Sequence, residues 1–431
     1  MSIKVSVILP SLNVAEYIRE TFESALCQTL TDIEIICVDA GSTDGTLDII
    51  NEYASKDARI RLLMSTKKSY GYQVNLGIES ACGEYIAILE TDDFIEPDMY
   101  QKLYESAKQN SVDYIKADYD VFFSQDDGSY YYFSRRSFSD ADMYDRVLCP
   151  KEYSSIGRDD WYLWQGIYSL DYIKRNSIRF NESPGAAFQD IGFLFWSGVY
   201  AEKAMYLPDR LYHYRIDRDG ASSNSGKNLT YAFTEYSCVK GKLESSSTTD
   251  DRVYKMLYAR MIKSFVSAYA HISESVSAQN DRRSIYEWFR QEIQNAFEKG
   301  LVSDENILSG HLERLKYLLK SEKEYFSHYS DMEFEHETEM AACFAIFGCG
   351  DFGFRAYNRL KAKDKRVISF FDNNTDLWGK SINGVSIDNP ENAIKLADDC
   401  CIIIANEAYH ADIKEQLIKM GIEEKRLIVF R

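Results

Sequence analysis

Positive charge is scarce in this chain. Fifty Lys and Arg stand against 68 Asp and Glu, a formal charge of −18 over 431 residues. A nucleic-acid binder would present a basic face, so that class is excluded, and an anionic substrate would need a few well-placed cations to approach. Long apolar runs are absent as well: none nears the roughly 18 residues of a spanning helix. Nine cysteines occur without a Cys-x-x-Cys pair or a zinc-like spacing, which argues against a structural zinc site. Their odd number, with Cys37, Cys82, Cys400 and Cys401 in apolar segments, fits reduced thiols. The start, Met1-Ser2-Ile3-Lys4-Val5, has neither a cationic region nor a small-residue cleavage site. The expectation is a cytoplasmic protein, at most peripheral at the inner face of the plasma membrane. Six prolines, 45% hydrophobic and 27% charged residues describe an ordinary globular chain, long enough for two or three domains.

What is present is organised around Gly83 to Pro97. There a short apolar strand, Tyr85 to Leu89, runs into Glu90-Thr91-Asp92-Asp93 and then a proline-started helix. Carboxylates bunched at a strand end repel one another unless a cation lies between them; alternatively they form a solvated turn at a helix N-terminus. Three further strands precede this one. Val5–Leu9 ends at Pro10-Ser11-Leu12-Asn13, Ile33–Val38 at Asp39, and Ile60–Met64 just before Lys67-Lys68, each followed by a helical stretch. Four strand–helix alternations predict a parallel sheet, whose ligands bind at the carboxyl ends of the strands. These four strand ends therefore share one rim. Acids for a cation beside bases for phosphate oxygens suit a nucleoside diphosphate with its metal.

Pro10-Ser11-Leu12-Asn13, Glu34 through Thr46 (with Asp39-Ala40-Gly41-Ser42), Asn75-Leu76-Gly77-Ile78 and Gly83 through Asp93 resemble the family 2 glycosyltransferases of GT-A fold, continuously to about residue 110 and in patches to about residue 225. The resemblance implies a donor site from Pro10, Leu12, Asn13, Asp39, Lys68, Asn75, Glu90, Thr91, Asp92 and Arg215, with Asp39 beside the nucleoside base. It implies Mn²⁺ or Mg²⁺ as cofactor, with Asp92 as first choice of ligand, then Asp93 and His213. Two departures stand out: Ala40 replaces the commoner second acid, and Glu90 replaces the usual leading Asp. Gln189-Asp190 resembles the pair whose Asp is the general base of inverting members. On its own residues Asp190 reads as a base raised by apolar neighbours, as a helix N-cap, or as both. Trp161, Trp164 and Gln189 are expected on the acceptor side, although aromatics here also serve to cover a sheet edge. The polar run 217–227 is read as a lid over the diphosphate.

Residues 226–339 read as a helical region. One stripe there, Leu312, Leu315, Leu318 and Leu319 with Lys316 and Lys320, reads either as a core face or as a membrane-surface helix. From about residue 340 a second alternation begins. Gly348, Gly350 and Gly353 follow a strand and open a helix, and Asp372 ends the next strand, as in a dinucleotide fingerprint. Either this is a second nucleotide-type site or a glycine-tight packing module; Asp351 at the helix start disfavours a phosphate there. The segment resembles small Rossmann modules appended to bacterial sugar-transfer enzymes.

The expected architecture is α/β: a GT-A domain with a Rossmann-like mixed sheet (1–225), a helical middle (226–339) and a small Rossmann-like α/β domain (340–431). The expected activity is an inverting transfer of a sugar from a nucleotide-sugar donor, a UDP-sugar first, to a glycan or lipid-linked glycan acceptor in bacterial polysaccharide biosynthesis, by a chain that could also self-associate. The competing reading is a sugar-nucleotide oxidoreductase or sensing scaffold centred on the C-terminal unit.

Overall fold

The computed structural model describes residues 2–218, 228–246, 248–270, 279–303, 306–329, 331–339, 341, 343–406 and 409–430. The expected lid, residues 217–227, lies outside these from residue 219 onward. The chain divides into two compact units, one of Met1–Val121, Ser134–Ser264 and Asp281–Ile307, the other of Phe122–Phe133, Phe265–Asn280 and Leu308–Arg431.

Strands and helices alternate first: β1 (Val5–Ser11), α1 (Ile18–Leu26), β2 (Ile33–Asp39), α2 (Thr46–Lys56), β3 (Ile60–Met64), α3 (Tyr70–Ser80) and β4 (Tyr85–Ile88). Then come β5 (Phe94–Ile95), α4 (Met99–Asn110), β6 (Tyr114–Ser124), β7 (Tyr130–Arg135), α5 (Ser154–Asp159), β8 (Gly166–Ser169), α6 (Leu170–Arg175), α7 (Asp190–Tyr200) and β9 (Ala204–Arg215). The sheet runs β3-β2-β1-β4-β8-β6-β9-β5, with β7 beside β6. β1 pairs in parallel with both β2 and β4, whereas β4 meets β8 antiparallel. The sheet is thus mixed, and its parallel half follows the expected alternation. β1, β2 and β4 are buried along their whole length, as apolar strands covered on both faces must be. α3 lies directly on β1: a Cβ added at Gly77 would meet Ile8 Cγ2 at 2.5 Å. Strand order reverses around β1, so the carboxyl ends of β1, β2 and β4 border a crevice suited to a ligand.

The short strand β5 is absent from the sequence reading, which starts a helix at Pro97. Phe94 and Ile95 instead pair antiparallel with His213 and Tyr212 of β9, and α4 begins at Met99. That pairing places His213 among its neighbours, as described below.

The middle of the chain is helical as expected: α8 (Asn228–Ser245), α9 (Asp251–Ala270), α10 (Gln279–Glu298), α11 (Ser309–Lys320), α12 (Glu322–Tyr329) and α13 (Asp331–Glu339). Leu312, Leu315 and Leu318 of α11 are buried, so the leucine stripe is a core face and the membrane-surface reading is overturned. No helix among the described residues is long and apolar enough to cross a membrane.

The second sheet comprises β10 (Cys343–Phe347), β11 (Arg366–Phe371), β12 (Ser381–Ile382), β13 (Val385–Asp388), β14 (Cys400–Ile404) and β15 (Leu427–Val429), with α14 (Asp351–Lys361) after β10 and α15 (His410–Lys419) after β14. Its order is β12-β13-β11-β10-β14-β15. The β12–β13 hairpin also went unread, although its loop, Asn383-Gly384, has positive φ at both residues (48° and 76°), as the common two-residue turn requires. Gly348 has φ +111°, and a Cβ there would meet Ala405 O at 2.6 Å; one at Gly353 would meet Gly348 O at 2.0 Å. The Asp372 carboxylate accepts from Cys349 N at 2.9 Å and Asn374 N at 2.9 Å. The acid of the fingerprint thus holds its own glycine loop.

Candidate active site

The rim begins where β1 and β2 end. Asp39 is buried, and its carboxylate accepts from Gly41 N (2.8 Å), Ser42 N (2.8 Å), Ser42 Oγ (2.7 Å) and Ser11 Oγ (2.9 Å). A nucleobase contact by Asp39 would have to displace one of these bonds. Asn13 takes a left-handed φ of 54°; its Oδ1 accepts from Thr43 N at 2.9 Å and its N donates to Ser42 Oγ at 2.8 Å. Gln73 Nε2 ties both strands by donating to Ser11 O and Val38 O. Pro10 contributes its carbonyl, which accepts from Thr91 Oγ1 at 3.1 Å, and Leu12 stays partly exposed. The two loops form one rigid ledge at the crevice.

At the end of β4 the four expected residues separate into different roles. Asp93 is buried and accepts from Tyr212 Oη at 2.7 Å and Arg215 N at 2.8 Å; burial, then the nearby Asp92 charge, push its pKa well above the carboxylate range. It pins β9 to the strand end and does not face a ligand. His213 stacks on Phe94 (centroids 4.4 Å apart) and bonds Glu96 Oε1 through Nε2 at 2.8 Å, as the β5–β9 pairing dictates. Of the expected metal set of Asp92, Asp93 and His213, the last two are thus engaged by Tyr212, Arg215 and Glu96. Among the described residues no three His, Cys, Asp or Glu side chains gather closely enough to hold an ion. Asp92 is the partly exposed member of that set, and its Oδ2 accepts from Arg218 Nη1 at 2.9 Å. Arg215 is buried, donates to Asp92 O (2.9 Å) and Glu20 Oε2 (2.7 Å), and lies 5.0 Å from the Tyr17 ring centroid. Arg218, the more open of the two cations, is the one that reaches the Asp92 carboxylate.

Glu90 faces a residue that the sequence reading passed over. Tyr70 Oη donates to Glu90 Oε1 at 2.6 Å, and Glu90 N donates to Tyr212 Oη at 3.2 Å. Burial, reinforced by the Asp92 and Asp190 charges, pushes the Glu90 carboxyl up to about 8. Asp190 therefore lies within electrostatic reach of the β4 end. It is the first residue of α7, with Gln189 in the capping position, and its carboxyl accepts from the main-chain N–H groups of Asp190 and Ile191, so it also serves the start of the helix. Burial raises the Asp190 pKa, and the cations Arg260 and Lys116 pull it back. No side chain among the described residues donates a hydrogen bond to its carboxyl.

The turn that presents Asp190 is held tightly. Gln189 is buried, accepts from Gly71 N at 2.6 Å and donates to Ser183 Oγ at 2.8 Å, which makes it a strut and corrects its acceptor-side assignment. Tyr70 N donates to Gly185 O, and Gly185 N to Lys68 O; the Lys68 side chain itself is exposed. Phe188 takes φ 65°, a conformation a bulky residue adopts only under constraint. Glu235, also buried, accepts from Asn181 Nδ2 (2.9 Å) and Ser183 Oγ (3.0 Å). The Asn75 amide both donates to Phe180 O and accepts from Phe180 N, each at 3.0 Å, so it too supports this segment and leaves the donor set. A Cβ at Gly71 would meet Asn181 O at 2.0 Å. Because main chain cannot yield cheaply, Gly71→Ala is expected to lower stability by about 1–3 kcal/mol, read as a lower urea midpoint; an unchanged midpoint would show that the turn is soft.

Trp164 is 4% exposed and stacked on Tyr212 and Tyr214 at 4.1 and 5.1 Å; it is packed in the core, with little surface left to serve as an acceptor platform. Trp161 is half-buried, with Lys263 Nζ 4.3 Å from its ring centroid.

Residues 6–158 match the family model "Glycosyl transferase family 2", and residues 340–428 match "C2185-like, N-terminal". Glycosyltransferase GlyG of Streptococcus pneumoniae is 31% identical over 237 residues, 54% of this chain and 77% of that protein. The uncharacterized glycosyltransferase EpsJ of Bacillus subtilis is 33% identical over 218 residues, 49% of this chain; the chain spans only 60% of EpsJ. In fold, S. aureus TarS 1-349 in complex with UDP-GlcNAc aligns with a TM-score of 0.56 at 18% identity, over 75% of this chain and 89% of that one.

Proposed function

We propose a reaction on one premise: the chain belongs to glycosyl transferase family 2. The reaction is transfer of a sugar, with inversion, from a nucleotide-sugar donor to a hydroxyl of a glycan or lipid-linked glycan in polysaccharide assembly. Residues 1–225 carry the chemistry and the helical region 226–339 borders the acceptor. One observation carries this reading. The Asp190 carboxyl, to which no side chain among the described residues donates, is held by a rigid turn within electrostatic reach of the acidic end of β4.

In this scheme the donor nucleoside lies on the ledge of Pro10, Leu12 and Asn13, which Asp39 holds in shape. Arg218 meets the diphosphate, with Lys68 at the rim. The acceptor hydroxyl gives its proton to Asp190 as its oxygen attacks the anomeric carbon and the diphosphate departs. Glu90, bonded to Tyr70 and with its carboxyl pushed up to about 8, is mostly protonated at neutral pH and so is not the proton acceptor in this scheme. Asp92 is the one residue of the expected set that fits a metal. A Mn²⁺ or Mg²⁺ held there would supply Lewis-acid stabilisation of the leaving diphosphate.

The test is nucleotide release from a panel of UDP-, GDP- and dTDP-sugars by the full chain, with Mn²⁺, with Mg²⁺ and with EDTA. UDP-GlcNAc heads the panel because TarS, of the same fold, holds it. The expected result is release from a UDP-sugar, abolished by EDTA, restored by either cation, and reduced about 10²-fold in Asp92→Asn. Release that EDTA leaves intact would remove the metal. No release from any donor would remove the reaction.

A further inference from the structure

Cys343 opens β10 and Cys400 opens β14, and the parallel strands place the two residues in register. Their sulfurs lie 3.2 Å apart, closer than an ordinary non-bonded carbon contact of about 3.5–4.0 Å. A disulfide needs Cα atoms about 4.4–6.8 Å apart, and neighbouring strands stand about 4.7–4.9 Å apart. The bond is thus within reach of side-chain rotation alone. All nine cysteines are free thiols, and among the described residues no other cysteine pair makes such a contact.

The surroundings distinguish the two sulfurs. Cys343 is half-buried and Cys400 fully buried, so a small oxidant meets Cys343 first. Burial pushes the Cys400 thiol up to about 12, which makes it a poor first nucleophile. Arg426, which donates to Cys400 O at 3.0 Å and Ala397 O at 2.7 Å, places a cation beside the pair and favours charge developing on sulfur.

We propose that Cys343 and Cys400 are a reversible oxidation site that takes a peroxide and closes to an intramolecular disulfide. The Cys343 thiolate attacks one peroxide oxygen, the O–O bond breaks, and the leaving hydroxide takes a proton to become water. Cys343 is left as a sulfenic acid. The Cys400 sulfur then attacks the Cys343 sulfur, the S–O bond breaks, and a second water departs with the Cys400 proton. Two thiols lose two electrons and one peroxide becomes two waters. The product ties together two adjacent strands of the second sheet, β10 and β14, the first of which leads directly into the Gly348 loop.

Titration of the purified full chain with hydrogen peroxide tests this, followed by alkylation of remaining thiols and non-reducing peptide mapping. The expected product is one linked peptide pair joining Cys343 to Cys400, two fewer alkylated cysteines, and full reversal by dithiothreitol. In Cys400→Ser the expected product is a sulfenic acid at Cys343 that dimedone traps; in Cys343→Ser, Cys400 stays reduced at the same dose. Recovery of both cysteines reduced while others oxidise, cross-links scattered over other pairs, or oxidation of Cys343 past sulfenic acid without linkage in the wild type would each overturn the proposal. None of these readouts depends on sugar transfer.

Discussion

Asp190→Asn is expected to lower sugar transfer by about 10²–10⁴-fold, the usual contribution of a positioned base, with donor affinity unchanged. The substitution keeps the shape at the first turn of α7 and removes only the capacity to accept a proton. Gln189, Ser183, Gly71 and Glu235 hold the turn, and an amide oxygen can still accept from the main-chain N–H groups of Asp190 and Ile191, so the variant should fold normally. The wild type carries a pH signature as well. Burial is the largest influence on Asp190 and raises its pKa, and a base works only when deprotonated. Activity must therefore fall as pH is lowered through that raised value, with an acid limb above the roughly 3.9 of a free aspartate. Asp190→Asn should lose that limb together with the rate. Donor titration by calorimetry and rates between pH 4 and 9 (roughly the span over which a perturbed carboxylate titrates) would separate the outcomes. Undiminished transfer by the variant would remove Asp190 as the base.

Much of this site was legible, and the illegible part has a common cause. Parallel strands bring their carboxyl ends to one rim whatever their order, so Pro10–Asn13, Asp39 and Glu90–Asp93 could be grouped from their positions after strands alone. Sequence could not divide the group. Asp92 and Asp93 are adjacent and chemically identical, yet one meets Arg218 and the other Tyr212, because β9 arrives from 119 residues away to cover the second. The same long-range pairing directs His213 to Glu96. Asn75 and Gln189 were read as ligand contacts from the family resemblance and Trp164 because indoles stack on sugars, but a buried turn needs the same amide chemistry and a core the same rings. Tyr70 escaped notice for the converse reason: nothing local tells a tyrosine at a helix start that its hydroxyl will meet Glu90. Lys116 also went unread, although a signal was there. A lone lysine within Tyr114-Ile115-Lys116-Ala117 contradicts its strand, and that contradiction was a usable signal.

Lys116→Met is expected to cost about 3–5 kcal/mol of stability, the typical penalty for breaking a buried ion pair from one side. Lys116 is 1% and Asp160 3% exposed. The ammonium bonds the Asp160 carboxylate and donates to Tyr162 O at 2.8 Å. Asp160 also accepts from Tyr206 Oη at 2.8 Å, and its main-chain carbonyl accepts from Arg260. Removing the lysine leaves a buried carboxylate with a phenol and no cation on its side chain. The thermal midpoint should drop on the order of 10 °C, and Lys116→Met with Asp160→Asn should recover part of the loss, since no uncompensated carboxylate remains. A single variant that melts like the wild type would mean that water enters the pair. Some folded Lys116→Met should survive at low temperature, and it tests a second link. Lys116 is one of the two cations that lower the Asp190 pKa. Without it the acid limb of activity must move to higher pH, whereas a purely structural lysine would change the amount of folded enzyme and leave the limb where it was.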